Sequence, residues 1–276
     1  GAGLLRERLG APAAIDLIDY GEPCMLGNAR VSLHPAGHVL GSAQVRIESD
    51  AGVCVVSGDY KREPDPTCAP FEVVPCDIFV TEATFALPVY RWAPTVEVIT
   101  ELHEWWDDCA RRDMPAVLFC YALGKAQRIL AELHAHGVSN TIHLHGSIAN
   151  IVEIYRRTGI VMPPTQSVAD SAKGRDFGGE LVLAPPSAAG SPWMRRFANA
   201  STAFASGWMR IRGNRRRQGY DRGFVISDHA DWPALLRTTR ETGARRVFAM
   251  HGDSEAFVRY LRETGIDAQV LRPGVA

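Results

Sequence analysis

Short apolar runs in this chain stop repeatedly on a side chain that can hold a metal ion or a proton. "VCVVSGD" ends at Asp59, "DIFVTEA" carries Glu82, "GFVISDH" ends at Asp228 and His229, and "RVFAMHG" reaches His251. "VSLHPAGH" adds His38. Apolar runs of this length beside glycine read as buried strands. In sheet proteins, ligands bind outside the carboxyl ends of the strands. A single Asp or His after a strand is an ordinary turn former. Repetition at successive strand ends points to convergence on one pocket.

The loop "HPAGHVLGSAQ" sharpens that reading. Pro35 and Gly37 separate His34 from His38, and both residues disfavour a helix there. The loop is rigid at Pro35 and permissive at Gly37 and Gly41, so it can aim His38 at the pocket. Gly58 and Gly252 flank the other candidates in the same way. His34 belongs to the strand and is expected to pack or hydrogen-bond. Imidazole and carboxylate donors without a thiolate suit a zinc-like or manganese-like hydrolytic centre.

Strands dominate the amino-terminal third: "ARVSLH", "AQVRIES", "VCVVSG" and "DIFVTEA". Strand–helix alternation follows, with helices expected in "TVEVITELHEWWDDCARRD" and "GKAQRILAELHAHG" and over about Trp232 to Thr242. This predicts an α/β layered architecture. Residues 163–220 show only weak periodicity. The composition, 276 residues and 46% hydrophobic, allows one large domain or two sharing a core. No apolar run approaches the roughly 20 residues that span a bilayer, and no secretory leader is read. The six cysteines form no CxxC pair, which points to reduced thiols and a cytoplasmic location.

Net charge is −1, but it is unevenly placed. No acidic residue occurs from Leu181 to Tyr220, a window holding Arg195, Arg196, Arg210, Arg212, Arg215, Arg216 and Arg217. Guanidinium forks match phosphate oxygens, so the segment favours a polyanionic partner. Arg210 to Arg217 are expected at the rim of a nucleic-acid cleft.

"HPAGHVLGSAQ", "VVSGDYK", "FVTEATF", "ALGKAQ", "FVISDHADW" and "MHGD" occur in this order. Together they resemble the metallo-β-lactamase-fold nucleases of the β-CASP branch. The likeness covers essentially the whole chain. It is nearest to the bacterial ligase-associated DNA exonuclease group, through "SGDYKREPDPTCAPFE" and "SGWMRIRGNRRRQGYDRGFVISDHADW". The resemblance implies an αββα metallo-β-lactamase sandwich, incomplete at its amino end, interrupted by a β-CASP-like α/β cap. The expected boundaries are residues 1–92 and 219–276 for the sandwich and 93–218 for the cap.

By position, the resemblance makes His38 a ligand of a first metal, Asp59 a carboxylate bridging two metals, and His251 a ligand of the second. Glu82 and His229 become a pair in which the carboxylate orients an imidazole acting as general acid. Lys125, Arg210, Arg212, Arg215, Arg216 and Arg217 become nucleic-acid contacts. Two divalent ions are implied, zinc or manganese, with DNA as substrate, an exonuclease activity in DNA repair, and functional association with a DNA ligase. The alternatives are an RNA-processing nuclease of the same branch and a catalytically dead nucleic-acid-binding member. Small-molecule hydrolysis of the glyoxalase or lactonase kind fits poorly with the arginine-rich segment.

One departure has consequences. The branch carries a His-x-His-x-Asp-His motif upstream of the loop around His38, and this chain begins at "GAGLLRERLG" without it. "HAHG" (His134, His136) and "IHLHG" (His143, His145) mimic its first half, but neither continues into Asp-His. His134 and His136 read as helix-end residues, and His143 and His145 as candidates for the cap side of the cleft. The expectation is therefore an amino-terminally truncated member. Catalytic sites normally use about three protein ligands per ion, and the residues present leave fewer for each of two. The 276-residue chain is thus expected to be isolated largely metal-free and to cleave DNA poorly. Metal analysis with a nuclease assay checks this. Two tightly bound ions and robust cleavage would be the contrary result.

Overall fold

The computed structural model describes residues 1–10, 14–211 and 219–272. The chain divides into two compact units. One comprises Gly1–Arg91 with Asp228–Ala276, and the other Trp92–Ser227. The first unit opens with helix α1 (Ala2–Leu9) and strands β1 (Pro23–Leu26), β2 (Ala29–Pro35), β3 (Ala43–Ser49), β4 (Gly52–Val56) and β5 (Ile78–Glu82). The second contains α2 (Thr95–Arg111), β6 (Ala116–Phe119), α3 (Lys125–Ala135), β7 (Ile142–Leu144), α4 (Gly146–Arg157), β8 (Thr165–Ser167), β9 (Leu181–Ala184), β10 (Ser201–Ala205) and β11 (Arg222–Phe224). The chain then returns to the first unit with α5 (Trp232–Glu241), β12 (Arg246–Met250), α6 (Ser254–Glu263) and β13 (Asp267–Val270).

The architecture is mixed α/β with mostly parallel pairing. In the first unit, seven strands form one sheet in the order β1-β2-β3-β4-β5-β12-β13. The αββα expectation has two stacked sheets, and among the described residues this unit shows one. Strands β1 to β4 pair antiparallel, while β4, β5, β12 and β13 pair parallel. Two reversals across β3 give β2 the same direction as β4. The chain therefore leaves β2, β4, β5 and β12 at one edge. Val55, Phe79 and Val247 on the strands pack with Leu235, Phe257 and Leu261 on α5 and α6. Asp231 caps α5, its Oδ1 accepting the Ala234 N–H at 3.0 Å.

The second unit is a six-stranded sheet, β11-β10-β6-β9-β7-β8, with every pair parallel. Its strands β6 ("AVLF") and β9 ("LVLA") are buried at every position, as parallel strands covered on both faces must be. Helix α2 buries Val98, Ile99, Leu102, Trp105, Trp106 and Cys109, a stripe at helical spacing.

Two sequence expectations need correction. Strands β8, β9 and β10 lie in the stretch that lacks periodicity. The expected cap end at residue 218 is too early, because β11 pairs with β10 through Ala203↔Arg222 and residues to Ser227 belong to the second unit. "GFVISDH" is accordingly not a strand running into Asp228. Strand β11 ends at Phe224. None of the six cysteines is in a disulfide, and no helix among the described residues is long and apolar enough to cross a membrane.

Two glycines hold the turn geometry at the edge where these strands end. Gly37 has φ 70°, and a Cβ there would lie 2.5 Å from the Lys61 carbonyl oxygen. Gly252 has φ 52°, and its Cβ would lie 2.2 Å from the Ala83 carbonyl oxygen. Gly243 has φ 67° with nothing within 4 Å of a Cβ. Left-handed backbone costs an L residue about 1–2 kcal/mol. Gly243→Ala is expected to cost about that, and Gly252→Ala distinctly more, because backbone must move. Thermal unfolding of both variants checks it, and equal shifts would remove the close approach at Gly252 as a constraint.

Candidate hydrolytic site

The candidate residues of the first unit gather at the carboxyl edge of its sheet. After β2, the chain turns tightly. Ser42 Oγ accepts the His38 and Val39 N–H groups at 3.1 and 3.2 Å, and the Lys61 N–H donates to the Ala36 carbonyl at 3.1 Å. This turn presents the His38 ring. Its Nδ1 lies 2.8 Å from the Asp228 carbonyl oxygen. A carbonyl can only accept, so Nδ1 carries the proton and Nε2 is left with its lone pair. That Nε2 lies 3.9 Å from Asp59 Oδ2.

Glu82 ends β5 with 1% of its side chain exposed, and both of its oxygens are engaged. Oε1 accepts the Tyr60 N–H at 2.7 Å, and Oε2 accepts His229 Nδ1–H at 2.9 Å. The rings of His229 and His38 lie 4.8 Å apart, and the Phe85 ring lies 5.9 Å from His229, edge to face. His38, Asp59 and His229 each offer a donor atom, and these atoms lie within 4.8 Å of one another. Behind this cluster, burial raises the Tyr60 hydroxyl far above its ordinary value. Tyr60 is a neutral wall.

His251 follows β12, whose Met250 pairs with Glu82, so it emerges at the same edge. It is exposed, lies outside the 4.8 Å cluster, and holds a left-handed φ of 62°. Such backbone costs a non-glycine residue of order 1–3 kcal/mol and occurs most at functional turns. The Ser254 hydroxyl donates to the His251 carbonyl and steadies the turn.

The remaining candidates separate. His34 is occupied on both ring nitrogens, Nδ1 by Glu72 Oε1 and Nε2 by the Ser32 hydroxyl, each at 3.0 Å. His134 and His136 close α3. His143 is buried between Glu180 and Arg175, with Nε2 at 2.9 Å from Glu180 Oε2 and 3.2 Å from Arg175 Nη1. Burial lowers the His143 pKa, Glu180 opposes the shift and Arg175 adds to it. His145 caps α4, accepting the Ser147 N–H at 3.1 Å, and burial lowers its pKa too. Lys125 is 3% exposed, so it does not belong to a solvent-facing phosphate strip. Arg210 is exposed at the end of a 3₁₀ turn, while Arg212, Arg215, Arg216 and Arg217 lie outside the described residues.

Sequence reasoning did not find the carbonyl of Asp228 as the group that orients His38, nor the Tyr60 amide that holds Glu82. Main-chain partners carry no residue-type signal.

No family model matches the chain. It is 32% identical over 272 residues to a protein named "Probable DNA ligase" from Opitutus terrae, an alignment spanning 98% of this chain and 26% of that protein. It is 30% identical over 128 residues to the endoribonuclease YSH1 of Gibberella zeae, and 32% over 128 residues to that of Aspergillus fumigatus. Each of these two matches spans 45% of this chain, against 15% and 14% of the relative. The chain thus covers about a quarter or less of the curated relatives it matches. A solved structure of a protein of unknown function from Enterococcus faecalis shares the fold, with a TM-score of 0.60 at 9% identity. It spans 95% of this chain and 66% of that one. The chain is therefore related by sequence to endoribonucleases and, along nearly its whole length, to a protein named as a DNA ligase.

Removing Glu82 should show how much the site depends on it. Glu82→Ala leaves the Tyr60 amide buried without an acceptor, a loss of about 1–3 kcal/mol. Glu82→Gln keeps an acceptor oxygen for that amide and should recover most of the loss. Urea unfolding of the two variants checks this, and equal destabilisation would show that the Tyr60 contact contributes little.

Proposed function

We propose that the chain is a metallo-β-lactamase-fold nuclease unit of the β-CASP kind that hydrolyses phosphodiester bonds of nucleic acid. DNA is the leading substrate, with exonucleolytic action in repair alongside a ligase activity. The observation that carries the reading is the cluster of His38, Asp59 and His229 backed by Glu82. Its donors suit a zinc or manganese ion: imidazole nitrogen and carboxylate oxygen, with His38 held in the tautomer that leaves Nε2 free.

His38 and Asp59 would hold the ion, and His251 on the neighbouring strand end is the candidate for a second. When bound, a divalent ion supplies Lewis-acid polarisation of the phosphodiester and a strong nucleophile at neutral pH. The chain's own residues supply the rest. Glu82 holds His229 by Nδ1 and orients the ring, so that Nε2 can give a proton to the departing oxygen. The Asp228 carbonyl fixes the His38 ring.

The relation to the YSH1 endoribonucleases favours a second reading, RNA cleavage by the same residues. Single-stranded DNA and RNA labelled at either end, incubated with excess Mn²⁺ or Zn²⁺, test both readings. Excess ion offsets weak holding. Cleavage is expected, with its end-label pattern giving the mode. His229→Ala should keep metal binding and lose about 10²-fold or more in rate, the usual worth of a general acid. Asp59→Asn should lose both. Absence of cleavage of either nucleic acid with either ion would overturn the proposal.

A further inference from the structure

The second unit contains a cavity of about 800 Å³ that the hydrolytic reading does not use. Pro115, Phe177 and Ala198 in its wall precede β6, β9 and β10, so it sits at the amino ends of the parallel strands. "ALGKAQ" follows the carboxyl end of β6, at the opposite edge of the same sheet.

Its wall carries Lys173, Arg175, Arg195 and Arg196 against one carboxylate, Asp176. Asp176 is already engaged, its Oδ1 accepting the Gly178 N–H at 3.0 Å. Two of the cations are braced from behind. Arg175 Nη2 donates to Glu180 Oε1 at 2.8 Å, and its guanidinium lies 4.6 Å from the Phe177 ring. Arg196 Nη1 donates to the Val168 carbonyl at 3.0 Å. Arg195 is carried beside it on the 3₁₀ turn Pro192–Arg196, which Ser191 Oγ caps by accepting the Trp193 N–H. Lys173 and Arg195 are exposed and, among the described residues, make no ion pair. The hydroxyl oxygen of Ser171, also in the wall, is buried and has no hydrogen-bond partner among the described residues. A buried hydroxyl without a partner is costly.

We infer that this cavity binds backbone phosphates of a nucleic-acid strand, apart from the residues that would cleave it. The inference rests on the nucleic-acid reading above. Arginine forks and a lysine around a concavity match phosphate oxygens. The Phe177 face is covered by Arg175, which leaves no ring there for a base to stack on. The contact therefore positions the strand without reading its sequence.

The test uses the 276-residue chain and fluorescein-labelled single-stranded DNA and RNA, with binding followed by anisotropy across a salt series. Lys173→Glu with Arg195→Glu should weaken binding about tenfold or more at low salt, whatever the sequence, and flatten the log–log salt slope by about 0.7 for each phosphate no longer neutralised. Hydrolysis of bis(4-nitrophenyl) phosphate with excess Mn²⁺ should stay at the parent rate, because the substitutions lie in the other unit. Should the charge-reversed pair melt early, Lys173→Gln with Arg195→Gln carries the same comparison. Unchanged affinity and slope would overturn the inference, as would a parent chain that binds neither strand. If the parent binds strands and hydrolyses nothing, while the double variant loses binding, the cavity stands and the hydrolytic reading falls.

Discussion

A carboxylate that is 1% exposed cannot be left without partners, and Glu82 sets the terms for everything around it. Its two oxygens take the Tyr60 amide and the His229 ring, which belong to segments far apart in the chain. The first contact fixes the loop that carries Asp59. The second fixes the segment that re-enters the unit at Asp228, and from there the Asp228 carbonyl orients His38. One buried charge thereby couples three loops. The other carboxylate and the last imidazole are less enclosed: Asp59 is 44% exposed, and His251 is exposed outright.

These couplings are possible because of strand direction. Parallel pairing of β4, β5 and β12, with β2 returned to the same sense, makes one sheet edge collect four loop starts. Close backbone approach then compresses them. The turn at Gly252 sits against Ala83 and Thr84, next to Glu82, and the turn at Gly37 sits against Lys61, next to Tyr60. Lys61 is itself buried and paired with Asp65, whose Oδ1 also accepts the Thr67 N–H at 2.8 Å. A buried ion pair of this kind adds little net stability, but breaking it leaves an uncompensated charge. It ties the loop beyond Asp59 to one conformation.

The second unit is organised by a different constraint. Its strands β6 and β9 are buried at every position and carry only apolar side chains, so polar groups near them lie at the strand ends and the connecting turns. The basic cavity lies at the amino ends of the strands, and Lys125 and Arg128, both buried, follow the carboxyl end of β6. The same sheet thus carries cationic groups at both edges, in different surroundings. Those at the amino edge are largely open to solvent.

The sequence alone determined the α/β class, the strands β2 to β5 and the helices α2, α3 and α5, because amphipathic spacing and glycine punctuation are local properties. It also singled out His38, Asp59, Glu82, His229 and His251 as candidates, since a titratable residue at the end of an apolar run is visible without coordinates. It set His34 apart, and the Glu72 and Ser32 contacts agree with that. Strands β8, β9 and β10 were not legible. A strand buried on both faces, such as β9, has no alternation to read, and all three are only three to five residues long. The place where the second unit ends depended on the pairing of Ala203 with Arg222, a contact no local pattern announces. Tertiary structure alone decided which imidazole stands within 4.8 Å of His38 and Asp59, and it is His229 rather than His251. That choice follows from a buried glutamate needing a donor, and burial exists only once the chain has folded.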